Sequence, residues 1–397
     1  MATSYLKLFV LIFLSGVIFV GTLNWLVNPY SVFDSPNITG FNADKLEFVN
    51  HLRLTKAYAV TDIKPKAIIL GTSRAGRGLS PTHPAWNKSS VYNLALPDAS
   101  MYELFRYFQH ANAANHLDKV ILALDFRLFN DDSLSRAFSE DRLLVTVEDN
   151  RNPTYLETYF SDLSSILFSS DAFQASVLDI RRQGWESYKL FNNGRWDRTK
   201  EKFDHRKAFT AYTKASYSRL SKVSGPLTGL DHFRALLQFA HKENIDLHLA
   251  ISPSHAWHWE LIFQLGLWDR FETLKKELLI INEEEAKRAG KPPFALWDFS
   301  GHNSLSIEEV PTSEQSTASM KWFWESVHYK KSLGDLIIQR IFNNNDSNST
   351  IPDDFGILLT PSNIEKHLKN LREARVAYYN SHPRDVSTIA ALSLKDR

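Results

Sequence analysis

Two short stretches of this sequence carry the residue types that covalent acyl chemistry needs. The first is Gly71-Thr72-Ser73-Arg74, directly after the apolar run Ala67-Ile68-Ile69-Leu70. A serine on a sharp strand-to-helix turn exposes its hydroxyl above the carboxyl end of the strand. Gly71 lets the chain turn without a Cβ clash, and the N–H groups opening the next helix can bind an oxyanion. Taken alone the pattern is weak, because serine also begins helices simply as an N-cap. The second stretch is Glu325-Ser326-Val327-His328. A carboxylate three residues before a histidine on a turn reaches the imidazole from the same local structure. It fixes the tautomer, stabilises the imidazolium and leaves the other ring nitrogen for a serine hydroxyl.

The elements that must position these groups read as alternating strands and helices. Near-continuous apolar runs at 67–70, 91–95, 119–124, 245–251 and 295–299 have the character of parallel strands covered on both faces. Helical spacing follows Ser100 over 101–114 and Thr228 over 230–242, fills 259–290 as one long stretch, and returns at 331–342. The pattern predicts a three-layer α/β/α, flavodoxin-like parallel sheet of about five strands spanning residues 65–342. Ser73 and the Glu325–His328 pair then fall at the same end of that sheet.

Between the third and fourth runs, residues 131–229 show helical tendency and no clear strand. Tyr155, Tyr159, Trp185, Arg195, Trp196, Arg206 and Tyr212 make this insertion aromatic and basic, so it reads either as a small helical cap or as a cover over a substrate cleft. Ahead of the domain, a connecting segment over 31–64 contains a helix at about 46–61. Beyond it, residues 343–397 open on a polar linker, NNNDSNST, continue into a peripheral helix over 362–379 and end in a frayed tail.

Residues 1–30 read as a signal anchor. Leu8 to Val27 is a mostly apolar run preceded by Lys7, and at 1.5 Å per residue it spans a hydrocarbon core of roughly 30 Å. Trp25 and Tyr30 fit an aromatic belt at the far interface. The expected topology is N-terminus inside, body outside. Composition removes other classes. With 46 basic and 45 acidic residues, scattered rather than clustered, the chain has no electrostatic footprint for nucleic acid. The absence of cysteine removes disulfides, thiol nucleophiles and Cys-based zinc sites together. The 26 Phe, 14 Tyr and 10 Trp suit either a heavy core or stacking on sugar rings.

Four blocks together resemble the SGNH/GDSL hydrolase superfamily: Gly71-Thr72-Ser73-Arg74, Asn93-Leu94-Ala95-Leu96-Pro97, Leu124-Asp125-Phe126 and Glu325-x-x-His328-Tyr329. The likeness is to its membrane-anchored bacterial branch, which includes the alginate acetylation proteins and the D-alanyl transfer protein of teichoic acid synthesis. It covers residues 65–342 and not the anchor, insertion or tail. The resemblance implies Ser73 as nucleophile, His328 as general base and Glu325 as its orienting acid, where the family usually has aspartate. The superfamily completes its oxyanion hole with a glycine N–H from the second block and an asparagine side chain from the third. Here those blocks read Pro97-Asp98-Ala99 and Asp125-Phe126-Arg127-Leu128-Phe129-Asn130. Asn130, or backbone at Asp98 or Ala99, would have to serve, with Arg74 and Asn93 as further substrate-side candidates. Arg74 reads equally as an anion ligand or as a salt-bridge partner of Asp98 or Asp125. His255, His258, Asp298 and His302 suit polar contacts around a cleft better than a metal site, since no ligand spacing links them.

What this implies is an extracytoplasmic serine-dependent O-acyl esterase or O-acyltransferase acting on a cell-envelope polysaccharide, without cofactor or metal, with a membrane acyl-donor protein as possible partner. The rival reading is a catalytically inactive envelope component of the same fold that binds glycan or a partner protein.

Overall fold

The computed structural model describes residues 2–184, 188–198, 203–312, 318–342 and 351–394. The fold is mixed α/β around a mostly parallel six-stranded sheet. Its strands are β1 (Ala67–Leu70), β2 (Val91–Asn93), β3 (Lys119–Leu124), β6 (Asp246–Ile251), β7 (Ala295–Asp298) and β8 (Ile357–Leu358), in spatial order β2-β1-β3-β6-β7-β8. A separate hairpin pairs β4 (Tyr188–Leu190) with β5 (Trp196–Arg198). The pairing of β3 with β6 is the longest, from Lys119 opposite Asp246 to Leu124 opposite Ile251. Every strand from β2 to β7 in the large sheet is parallel, so their carboxyl ends share one edge; β8 is antiparallel to β7. All four residues of β1 are buried, which is why its sequence carries no alternation.

The helices are α1 (Ala2–Val27), α2 (Phe48–Ile63), α3 (Ser73–Gly78), α4 (Met101–Ala114), α5 (Tyr155–Phe168), α6 (Ser170–Arg181), α7 (His205–Leu220), α8 (Leu230–Lys242), α9 (Ala256–Gln264), α10 (Trp268–Ala289), α11 (Lys331–Phe342), α12 (Ile364–Ser381) and α13 (Pro383–Leu394). Neighbours α2, α4, α8 and α10 pack in succession, while α7, α9 and α13 form another group and α3 packs on α11. Helix α4 opens with a full capping box, Ser100 and Glu103 each closing on the other's backbone. Helix α1 is long and apolar enough to cross a membrane, and only 6% of its most apolar window is buried.

Several expectations are corrected. The stretch 259–290 is two helices, because Gly266 adopts φ +71 and ends the first. The insertion does contain strands: Asn193-Gly194 turns β4 into β5, with Gly194 N–H donating to Phe191 O at 2.9 Å. The tail is not frayed through 383–394, where α13 packs on α9 and α7 and buries Ile389 completely. Helix α8 begins after Gly229, not Thr228. The expected linker at 343–350 lies outside the described residues, as does Trp185.

Candidate active site

The turn that carries Ser73 is built from the sheet upward. Gly71, at the end of β1, has φ +148, and a Cβ there would sit 2.9 Å from Ala123 O and from Ala75 Cβ. Only glycine fits between β3 and the new helix. Thr72 caps α3 and donates its hydroxyl to Asp125, the first residue after β3. Ser73 is the first residue of α3, where helix geometry leaves backbone N–H groups without intrahelical acceptors.

His328 arrives from a tight loop. Trp324 N–H donates to His328 O at 2.9 Å and Lys330 N–H to Trp322 O at 2.7 Å. The loop is held from outside as well: His205 contacts Trp324 O at 2.9 Å and His255 N–H donates to Ser326 O at 3.1 Å.

These two elements bring together residues 255 positions apart. Ser73 Oγ lies 2.7 Å from His328 Nε2. His328 Nδ1 hydrogen-bonds Glu325 Oε1, and the other carboxylate oxygen accepts from Val327 N–H at 2.7 Å. Both Glu325 oxygens are therefore engaged, and the ring is held with Nδ1 protonated and Nε2 turned to the serine. Glu325 is 1% exposed and His328 6%. Burial pushes the Glu325 carboxyl up, but His328, Arg77 and the Val327 amide outweigh it and hold the group below its ordinary range. Burial, and then the Arg77 charge, hold the His328 imidazole below its ordinary 6.5 against the opposing pull of Glu325. At neutral pH the ring is uncharged and able to take a proton.

Arg74 lines the cavity beside Ser73 and is held on three sides. It pairs with Asp125 Oδ1 at 2.7 Å, donates through Nε to Val327 O at 3.1 Å, and lies 3.3 Å from His258 Nε2. It thus ties α3 to the end of β3 and to the histidine loop in one side chain. Both members of the ion pair are buried, so an Arg74→Met variant strands Asp125. We expect a loss of about 3–5 kcal/mol of stability in denaturant melts. A variant as stable as wild type would remove this role.

The remaining substrate-side candidates separate. Asn93 is fully buried and away from the cleft; its amide donates to Ala75 O and Leu79 O at 3.0 Å each, holding the end of α3. This corrects its expected place beside a substrate. Asn130 does line the cleft, but its amide is engaged by Phe126 O and Arg270. Asp98, at φ +51, stands at the rim, where it pairs with Arg127 and with Arg219 at 3.3 Å. Asp298 is bound to Lys275 at 2.6 Å and His367 at 2.7 Å, and His255 contacts Glu308 O at 2.6 Å. Among the described residues no group of three or more His, Asp or Glu is arranged to hold a metal.

Ser73, Val327 and His328 open into a cavity of about 640 Å³. Its outer wall is α7 of the insertion, through Tyr212, Ser216, Arg219 and Leu220, and Tyr212 meets the His328 ring edge-on at 5.4 Å. The insertion therefore covers the cleft with α7 and the segment that follows it, through Lys222, Val223 and Ser224, with Asp131 at its start also lining the cleft. Its hairpin instead presses Trp196 onto Gly76, where a Cβ would come within 1.9 Å of the indole. The α5–α6 pair packs on α1.

Some supports escaped sequence reasoning. Lys56, on the helix of the connecting segment, is wholly buried and donates to Asn93 O and Ala95 O at 2.7 Å each. It steadies the strand beside the Ser73 turn, and no local pattern marks a lysine for that task. Tyr212 was visible as one of the insertion's aromatics, but its approach to His328 was not.

No family model matches this chain, and neither does any curated protein.

Proposed function

We propose that the chain is a membrane-anchored, extracytoplasmic serine O-acyl esterase or O-acyltransferase of the SGNH/GDSL kind, acting on a cell-envelope polysaccharide. The observation that carries this reading is the continuous relay from Ser73 Oγ, 2.7 Å from His328 Nε2, through Nδ1 to Glu325. Three further features support it. Counting only the parallel strands, the spatial order is second, first, third, fourth, fifth, the order of flavodoxin-like three-layer folds. The cavity beside Ser73 has room for an acyl group and part of a sugar. Lys7 lies in α1 just ahead of its apolar run and no basic residue lies in the last turn, which favours the body outside.

In the proposed reaction Ser73 Oγ attacks the ester carbonyl carbon as His328 Nε2 takes the hydroxyl proton. The tetrahedral intermediate collapses, the alkoxide leaves with the proton from His328, and the acyl group remains on Ser73. Water or a sugar hydroxyl then attacks, giving its proton to His328, and Ser73 Oγ recovers one as the acyl product departs. The test is to incubate the full chain in vesicles with an aryl acetate and a polysaccharide acceptor. Release of acetate or acetylation of the polymer supports the reading; neither product contradicts it. Because the base must be uncharged, kcat/KM should fall as pH drops through a value below 6.5 and be flat at neutrality. An acid limb centred above 6.5 would contradict the assignment of His328.

The rival, a non-catalytic glycan-binding component, draws on one observation: the Asn130 amide is engaged by Phe126 O and Arg270, not directed at an oxyanion.

A further inference from the structure

Helix α1 is not a loose tether. From Tyr5 to Phe19 its apolar side chains are exposed apart from the half-buried Val17, Ile12 at 65% and Phe19 at 61%. Burial begins at Gly21, and Asn24 and Val27 are wholly buried. The partner is the α5–α6 hairpin. Asn24 Nδ2 donates to Leu167 O at 2.9 Å and Ile166 O at 3.3 Å, the carbonyls that end α5, while its oxygen accepts from Ser176 Oγ at 3.0 Å. An asparagine within an apolar span is costly unless paired, and here both ends of its amide are paired.

The hairpin tip meets α1 at a telling height. A Cβ on Gly21 would lie 2.7 Å from the Phe168 ring, so that ring rests on the helix at Gly21 while remaining 55% exposed. A run from Leu8 to Val27 fills a hydrocarbon core of roughly 30 Å, and Gly21 lies six residues, about 9 Å, before its end. Phe168 is therefore level with the outer part of the bilayer. Around it the tip is polar, with Ser164, Ser165, Ser170 and the carboxylate of Asp171 exposed. One aromatic beside hydroxyls and a carboxylate suits the boundary between hydrocarbon and headgroups.

We propose that the α5–α6 hairpin is a membrane foot. Its tip, led by Phe168, dips into the outer leaflet of the bilayer that α1 crosses, and the Asn24 latch clamps it there. The cleft then stands at a fixed height above the lipid. The inference rests on reading α1 as a membrane span and is independent of the acyl chemistry.

The chain has no cysteine, so single nitroxide labels can be introduced directly. Labels at Phe168→Cys and Ser165→Cys would be compared with Ile12→Cys in the span and with Lys369→Cys on α12, whose side chain is 70% exposed. The full chain would be placed in phosphatidylethanolamine–phosphatidylglycerol vesicles. Power saturation would then compare collisions with oxygen, which concentrates in lipid, and nickel-EDDA, which stays in water. We expect the oxygen-to-nickel ratio at 165 and 168 to be several-fold above that at 369 and below that at 12. Ratios at 165 and 168 equal to that at 369 would overturn the foot alone. Exclusion of both reagents there would overturn it in favour of a protein partner or second copy. A ratio at 12 equal to that at 369 would overturn the span and the foot with it.

Discussion

Replacing Ser73 by alanine will abolish acyl turnover, lowering kcat by at least about 10⁴-fold, and leave the fold unchanged. The effect is large because Ser73 carries the hydroxyl that touches the base. Ser73 Oγ is the atom 2.7 Å from His328 Nε2, and the base cannot direct water with the same geometry once that oxygen is gone. The fold should not notice. Ser73 is only partly buried and its hydroxyl contacts the histidine, whereas the turn is held by Gly71, Thr72 and Arg74. Parallel melts and turnover assays check both halves. Activity matching wild type in a folded variant would refute the nucleophile.

Glu325→Gln should be nearly as damaging, on the order of 10³–10⁴-fold in kcat. Glu325 accepts from His328 Nδ1 and from Val327 N–H, one to each oxygen. A glutamine offers one acceptor and one donor. If its oxygen serves Val327, its amide faces Nδ1 and forces the ring into the tautomer that carries a proton on Nε2. That ring donates to Ser73 and cannot accept its proton. If its oxygen serves His328, the amide nitrogen opposes the Val327 N–H in a buried site, an unmet donor costing about 1–3 kcal/mol. The carboxylate charge that favours the imidazolium is lost either way. Turnover by the Gln variant within threefold of wild type would show that Glu325 does not orient the base.

Much of this arrangement is legible along the chain, for reasons that are local. The runs at 67–70 and 119–124 are apolar because both faces of those strands are covered, and unbroken runs announce themselves. Ser73 and His328 could be paired across 255 residues because each follows the carboxyl side of the sheet, and one edge collects what topology sends there. What stayed hidden depends on partners far away. The Arg74 bond to Val327 O crosses 253 residues and has no spacing to betray it. Asn130 looked available until Arg270 reached it from α10. The hairpin strand Trp196-Asp197-Arg198 is three residues with two charges, too short for alternation to register, and the Asn193-Gly194 turn dipeptide went unread. Helix α13 escaped notice because its burial is against α9 and α7, not against the sheet.

The most direct test of the central claim is covalent labelling with a fluorophosphonate, read by peptide mass spectrometry. The reagent bonds to a serine only where a neighbouring base has made the hydroxyl nucleophilic, so it reports the relay without requiring the natural substrate. One adduct is expected, on the peptide containing Ser73, absent in Ser73→Ala and strongly slowed in Glu325→Gln. An unlabelled folded wild type, or an adduct that persists when Ser73 is alanine, would contradict that claim.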